Sequence, residues 1–283
     1  MPIQTVTNLN LNLAWGLLHT PLKFPMTPYQ RYLAMKAKKA LRGLKTGEKL
    51  IHGPRNYRCY FFSPPNPKKR AFILHGWMSR AEHMMNIIRD LYNQDVEVVA
   101  IDLPAHGKSP GIQLNWRDTV KIILDVQKRY GNFDFAVGHS YGGAMLLTAL
   151  GIANLEYEDF KENLILPKLI LLGAPTKVDT PIGMLSRFTR LNPNQREKFY
   201  RKVLSHEEVT PQQLDGVYLQ KKYPTETEFL CIHSINDRVI PHSDALHLKR
   251  LGKRVRLISK EKLGHLKILN NQTVLDDIRQ FIS

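Results

Sequence analysis

The chain has only two cysteines in 283 residues, no long apolar run and a deficit of acidic side chains, and each shortage removes a class of protein. Cys59 and Cys231 each lie inside an apolar, strand-like stretch, where a cysteine reads as a small buried hydrophobe. No disulfide framework is expected, and the compartment is expected to be reducing. No apolar stretch reaches bilayer length; the longest is the one after Ser140. The N-terminus carries LNLNLAWGLLHT with no lysine or arginine before Lys23, so it lacks the charged start of a signal peptide. A soluble, cytoplasmic protein is the expectation. The acidic deficit, 25 Asp and Glu against 41 Lys and Arg, leaves a net charge of +16. Such a charge favours contact with phospholipid, nucleic acid or an anionic substrate. The basic residues are spread along the chain, however, and no RNA-binding signature, zinc-finger spacing or glycine-rich phosphate loop accompanies them, which argues against nucleic acid.

What the sequence does hold is concentrated in FDFAVGHSYGGAMLLTAL, residues 133 to 150. Phe133, Phe135, Ala136 and Val137 read as an interior strand, and Ala144 to Leu150 as a buried helix directly after it. Between them Gly138, Ser140 and Gly142 give the GxSxG spacing of a nucleophile elbow, a turn sharp enough to strain the serine and push its hydroxyl outward. The two glycines leave room where side chains would collide as the strand folds back into the helix. Ser140 is therefore the candidate nucleophile.

Around this elbow, strands and helices alternate. Arg58 to Ser63, Arg70 to Leu74, Val96 to Asp102, Pro167 to Leu172, Glu228 to His233 and Arg254 to Ser259 read as strands, with helices near 82–94, 117–130, 243–251 and 273–282. That order predicts an α/β fold with a mostly parallel central sheet flanked by helices on both faces. From Ala174 to about Thr225 the alternation stops and three helix-like, proline-punctuated segments follow, read as a helical cap over 175–225 inserted into a core of 51–174 and 226–283. Residues 1–50 read as a basic extension. Within it, Tyr29, Leu33, Ala37, Ala40, Leu41 and Leu44 share one face of a helix over 29–45, with Arg31, Lys38, Arg42 and Lys45 largely elsewhere. A basic amphipathic helix can lie on an anionic membrane, although alanines on the apolar face favour packing against the body. Glu48 to Ile51 shows no regular pattern.

Serine is a poor nucleophile at neutral pH, so the chemistry needs a base in hydrogen-bond reach and a third group to orient it. In sheets with this elbow, acid and histidine follow the serine at the ends of later strands. Asp237, in IHSINDRVIP, and His265, in KLGHLKIL, occupy those places at the carboxyl edge of the predicted sheet. Asp179 and Asp215 fall in the cap, and Asp244 reads as the N-terminal charge of a helix. His139 belongs to the elbow, His75 precedes the loop after the first long strand, and His233, His242 and His247 read as strand-end or surface groups. An oxyanion hole requires two backbone N–H groups, supplied here by Tyr141, after the nucleophile, and by Trp77, at the end of the HGW turn.

LHGW (74–77), DLPAHGKS (102–109), GHSYGG (138–143), INDRVIP (235–241) and GH (264–265) together resemble the α/β-hydrolase superfamily, most of all its esterase, lysophospholipase and monoglyceride-lipase-like members with a helical cap. The likeness spans residues 71 to 283 in the family's order. It departs at Ala105, where such proteins commonly carry glycine, and it leaves 1–50 and 156–167 without a counterpart. It implies a Ser140, His265, Asp237 triad, a Trp77 and Tyr141 oxyanion hole, and no metal or cofactor. The expected activity is hydrolysis of an apolar acyl ester, with thioester hydrolysis on the same triad as an alternative. Met184, Leu185, Phe188, Leu191, Phe199 and Tyr200 of the cap either line an acyl pocket or dock the cap. A different class of reading is a catalytically silent hydrolase fold that binds a membrane or a partner through 29–45.

Overall fold

The computed structural model describes residues 2–23, 25–40, 46–155, 157–222 and 226–283. Its centre is an eight-stranded sheet of order β1-β2-β4-β3-β5-β6-β7-β8. The strands are β1 (Thr46–Ile51), β2 (Tyr57–Phe62), β3 (Lys69–Leu74), β4 (Val96–Asp102), β5 (Phe135–His139), β6 (Lys168–Leu172), β7 (Glu228–Ser234) and β8 (Val255–Lys260). β1 pairs antiparallel with β2 and β2 with β4, while every pairing from β4 onward is parallel. Parallel strands need helical crossovers, and these cover both faces. The helices are α1 (Pro2–His19), α2 (Pro28–Ala40), α3 (Met85–Tyr92), α4 (Trp116–Tyr130), α5 (Tyr141–Ala149), α6 (Asp179–Phe188), α7 (Pro193–His206), α8 (Gly216–Lys222), α9 (Ser243–Leu248), α10 (Gly264–Lys267) and α11 (Gln272–Ile282).

The continuous apolar runs of the sequence become strands buried on both sides, as in β5, where all five residues are inaccessible. Successive strand residues point to opposite faces and feed two cores. Phe72, Leu74, Val99 and Ile101 pack with α4 and α5, while Ile73, Val98, Ala100 and Val137 pack with α3 and α11. Burying each of these side chains larger than alanine contributes about 1.5–3 kcal/mol. Helix α4 shows the local logic: Asn115 caps it by accepting from the Asp118 amide at 2.7 Å, and Val120, Ile122, Ile123 and Val126 are buried. Cys59 and Cys231 are free and buried in β2 and β7, and burial pushes both thiols up to about 12. Among the described residues no helix is long and apolar enough to cross a membrane.

Three regions differ from the sequence-based expectation. Thr46–Ile51, without a regular pattern, is the edge strand β1; only Ile51 is buried, so backbone pairing with β2 holds it, and the sheet begins inside the segment read as an extension. Residues 2–19, to which no element was assigned, form α1. The alternation of asparagine and leucine over 8–13 hides a helix whose later residues Ala14 and Leu17 are buried against Ile182, Leu185, Leu191, Phe199 and Val203 of the segment between β6 and β7. Helix α2 buries Ala34, half-buries Leu33 and leaves Tyr29 62% exposed, so Tyr29 of the expected apolar face points outward. The continuation over 41–45, with Leu41, Arg42, Leu44 and Lys45, lies outside the described residues, as do 223–225 at the end of the expected cap. Phe160, Leu164 and Leu166, from the stretch that the resemblance left unplaced, fill the α4/α5 core.

Candidate active site

The parallel strands end along one edge, and the loops leaving β3, β5, β7 and β8 meet there. Ser140 follows β5 directly and takes φ +51°, a left-handed conformation that costs a non-glycine residue on the order of 1–2 kcal/mol. The Ser140 amide donates to Leu172 O of β6 at 3.0 Å, and the Ala144 amide to Ser140 O at 3.1 Å, so strand and helix hold the turn from both sides. Gly142 makes it possible: a Cβ there would press into the main-chain carbonyls of Leu74 and His75. The turn thus lets helix α5 start against the backbone of the neighbouring strand.

Ser140, Asp237 and His265, far apart in sequence, form one hydrogen-bonded chain. The Ser140 hydroxyl lies 3.0 Å from Nε2 of His265, and Nδ1 of His265 lies 2.7 Å from Oδ2 of Asp237. Asp237 Oδ1 also accepts from the amides of Val239 and Ile240 at 2.8 and 3.0 Å. Burial alone would raise the Asp237 carboxyl, but the His265 hydrogen bond and charge, with these two amides, outweigh it and hold the group below the usual carboxylate range. Asp237 is thus an anion facing Nδ1–H, which leaves the Nε2 lone pair for the serine proton.

Trp77 sits in the turn after β3, and Tyr141 opens α5. Their rings meet edge to face at 5.2 Å. As the first residue of a helix, Tyr141 presents an amide without an intrahelical acceptor. The turn holding Trp77 is fixed from below by His75, whose Nδ1–H donates to Gly76 O at 2.7 Å while its Nε2 accepts from the Leu103 amide at 3.0 Å. With both nitrogens used and the ring fully buried, burial presses His75 down to about 4, so it is neutral at physiological pH. Asp102, also buried, accepts from the Ala81 and Lys108 amides at 2.7 and 2.8 Å and from Tyr60 Oη at 2.8 Å, tying the 102–109 loop to the segment after Trp77.

Sequence reasoning passed over several supports of the site. His139 donates from Nε2 to the carbonyl of His265 at 3.0 Å, and burial, followed by the nearby His265 ring, presses it down to about 3. His233, read as a strand-end or surface group, is wholly buried and donates to Ile240 O at 3.0 Å, behind the Asp237 loop. Gly173, at φ +54°, lies where a Cβ would come 3.3 Å from Asp237 Oδ2 and 3.5 Å from His265 Nδ1. The glycine closing LILLG was the one signal for it. Asp244 stands in the first turn of α9, as its place before a helix predicts; it is also buried there, and accepts from the Thr176 amide and from the Thr180 hydroxyl, at 2.8 and 2.9 Å. It joins the loop after β6 to α6 and α9.

Above the serine lies a cavity of about 310 Å³, lined by Ser140, His265 and Trp77 at one end and by apolar groups such as Leu17, Met145, Leu185 and Ile240 beyond. Met184 and Leu185 reach this space; Leu191 and Phe199 instead bury themselves in the packing of α6 and α7, and Phe188 is exposed. Helix α1 contributes Leu17, Leu18 and His19 to the wall. The arrangement can activate a hydroxyl beside an apolar chamber.

The sequence profile described as the alpha/beta hydrolase family matches residues 71–254. No match is found among curated proteins. Solved structures similar to this chain include the esterase Pf2001 of Pyrococcus furiosus, with TM-score 0.60 and 15% identity over 93% of this chain and 94% of that one. The butyrate-bound esterase Est2 of Thermogutta terrifontis has TM-score 0.62 and 14% identity, covering 86% and 94%. An esterase domain from Rhodothermus marinus has TM-score 0.56 and 17% identity, covering 84% and 96%. At such identities the likeness to these structures is one of fold.

Proposed function

The chain belongs to the alpha/beta hydrolase family, and on that footing we propose that it is a serine hydrolase cleaving carboxylic esters of apolar acyl groups through an acyl-enzyme. The observation that carries this is the Ser140–His265–Asp237 hydrogen-bond chain, whose Ser140 and His265 line an apolar cavity. Ser140 Oγ attacks the acyl carbonyl as its proton passes to His265 Nε2. Asp237 holds the ring in the Nδ1–H tautomer and stabilises the imidazolium. The amides of Trp77 and Tyr141 receive the oxyanion. The alcohol leaves with the proton from His265, and water, deprotonated by the same ring, then releases the acid and restores Ser140.

In this reading 46–174 and 226–283 make the catalytic body and 175–222 the cap, to which α1 adds a further wall. Est2 of Thermogutta terrifontis, similar in fold, is phosphoramylated by tabun; an organophosphorus probe is the direct test here. A fluorophosphonate is expected to label the wild type and to leave Ser140→Ala unlabelled, with folding intact by circular dichroism. A folded wild type that takes no label rejects the proposal. Rates over aryl esters of increasing acyl length then define the substrate.

A finer reading, a lysophospholipid-type substrate met at an anionic membrane, is supported by exposed Leu9 and Leu13 on α1 and by Tyr29, Tyr32 and Met35 on α2 beside Arg31, Lys36 and Lys39. Co-sedimentation with phosphatidylserine vesicles is expected to fall when Arg31, Lys36 and Lys39 are changed to glutamate. Equal pelleting rejects the membrane.

A further inference from the structure

Away from the triad, two imidazoles and a carboxylate meet where the end of α1 crosses the end of α7. His19 is the last residue of α1, His206 the last of α7, and Glu207 follows it. Glu207 is buried, His19 partly buried and His206 exposed. Nε2 of His19 stands 3.1 Å from Oε1 of Glu207, and Nδ1 of His206 stands 3.3 Å from the same oxygen. One ligand atom from each of the three side chains lies within 4.8 Å of the other two.

Hydrogen bonding fixes the state of His19. Its Nδ1 is 3.1 Å from the carbonyl of Trp15, which can only accept, so Nδ1 carries the proton. In the neutral ring, Nε2 is then a lone pair directed at a carboxylate oxygen, an arrangement that is repulsive until something positive enters. A proton answers one such contact: the hydrogen bond to Glu207 raises the His19 imidazole against the opposing effect of burial. The second imidazole, His206, can donate from Nδ1 to the same oxygen as its Nδ1–H tautomer. A metal ion would replace both hydrogen bonds at once, taking the three ligand atoms together. A tetrahedral cation with bonds of about 2.0–2.1 Å holds its ligand atoms about 3.3 Å apart, and the two imidazole-to-carboxylate distances match that separation. An Nδ1–H···O=C bond that presents Nε2 is also how proteins orient metal-binding histidines.

We propose that His19, His206 and Glu207 form a binding site for a divalent transition cation of the Zn2+ type, which clasps the N-terminal helix to α7. Imidazole and carboxylate are the donors such ions take, and the exposed His206 side leaves a fourth position open to water. Two cations lie nearby, each engaged elsewhere. Lys202 Nζ sits 4.2 Å from the centre of the Trp15 ring, and Arg117 donates to the main-chain oxygen of Glu207 at 2.6 Å while stacking on Trp116 and Tyr157. Both lower the affinity without blocking the ligand atoms. Because His19 and Glu207 line the cavity, the ion would fix the seam that closes its wall.

The test needs no substrate. The full chain, stripped with chelator, is titrated with ZnCl2 by calorimetry and with CoCl2 by visible absorption, alongside His206→Ala, whose side chain lies off the cavity. The expected result is one saturable site in the wild type, at least tenfold weaker in His206→Ala, and a Tm that Zn2+ raises in the wild type alone. Aryl-ester hydrolysis by metal-free His206→Ala is expected to equal that of the metal-free wild type. The chain has 11 histidines, so equal Zn2+ binding by the two proteins assigns it to other side chains and overturns the proposal. So does a wild-type Tm that follows pH and ignores Zn2+, the behaviour of a seam held by a proton. Glu207→Gln, which keeps the side-chain shape, is the second variant and is expected to weaken binding as His206→Ala does.

Discussion

The rim that carries Ser140, Asp237 and His265 and the roof over it are built by different means. At the rim, backbone is held in strained or crowded positions by directional polar contacts: Ser140 at φ +51°, Gly142 against two carbonyls, and the buried rings of His75, His139 and His233 each bonded to main-chain atoms. In the roof, α1, α6 and α7 join mainly through Ala14, Leu17, Ile182, Leu185, Leu191, Phe199 and Val203, an apolar cluster without directional demands, with the His19–Glu207 contact at its edge. Positions that must be accurate to a fraction of an ångström are set by hydrogen bonds, and the chamber for a variable chain is set by packing. Changes at the rim should therefore cost rate, and changes in the roof should alter selectivity.

The largest test of that contrast is Asp237→Asn. The amide keeps the shape but can present its NH2 to His265 and favour the wrong tautomer, so kcat is expected to fall roughly 10⁴-fold with little change in KM. A loss below tenfold in steady-state kinetics would show that Asp237 only fills space. Acid is the next lever on the rim. Burial holds His75 down to about 4 and His139 to about 3, whereas in the unfolded chain both rings titrate near their ordinary value. Between about pH 6.5 and 4 the unfolded chain therefore binds more protons than the folded one, and stability must fall as pH is lowered, on the order of 3 kcal/mol for each ring. Urea midpoints at pH 7, 5.5 and 4.5 measure it, and constant midpoints would contradict the buried, neutral rings.

In the roof, Leu17→Ala removes a side chain that is buried and also lines the cavity. A stability loss of about 2–3 kcal/mol is expected, together with a shift of the preferred ester toward longer acyl chains. An unchanged chain-length profile would detach α1 from the substrate. The smallest effect belongs to Ala105, which sits at φ +64° in the 102–109 loop, where glycine is the better fit. Ala105→Gly relieves the strain but frees the unfolded chain, so the net gain is expected to be at most about 1 kcal/mol, read as a Tm higher by a few degrees. A lower Tm would show that the methyl group packs better than its backbone strain costs.

Much of the rim was legible in the sequence because its motifs are local. GHSYGG specifies its own turn, and acids or histidines just beyond apolar strands must emerge at one edge of a parallel sheet. The roof was not legible in the same way. Helix α1 is marked by no acidic first turn, its Asn and Leu alternate over 8–13, and its helical face exists only because α6 and α7 supply a partner for Ala14 and Leu17. The edge strand β1 is likewise defined by its neighbour, since five of its six residues are exposed.

By itself, then, the sequence determined the α/β alternation, the elbow and the identity of the three groups joined at its edge, since these follow from short-range pattern and chain order. Only the tertiary structure decided which buried histidines are neutral struts, where Gly173 gives the His265–Asp237 pair its room, and that the first helix becomes a wall of the cavity. Those outcomes depend on burial and on contacts between residues from 28 positions apart, as in His75–Leu103, to 126, as in His139–His265, and a side chain acquires such an environment only when the distant segments that form it are packed together.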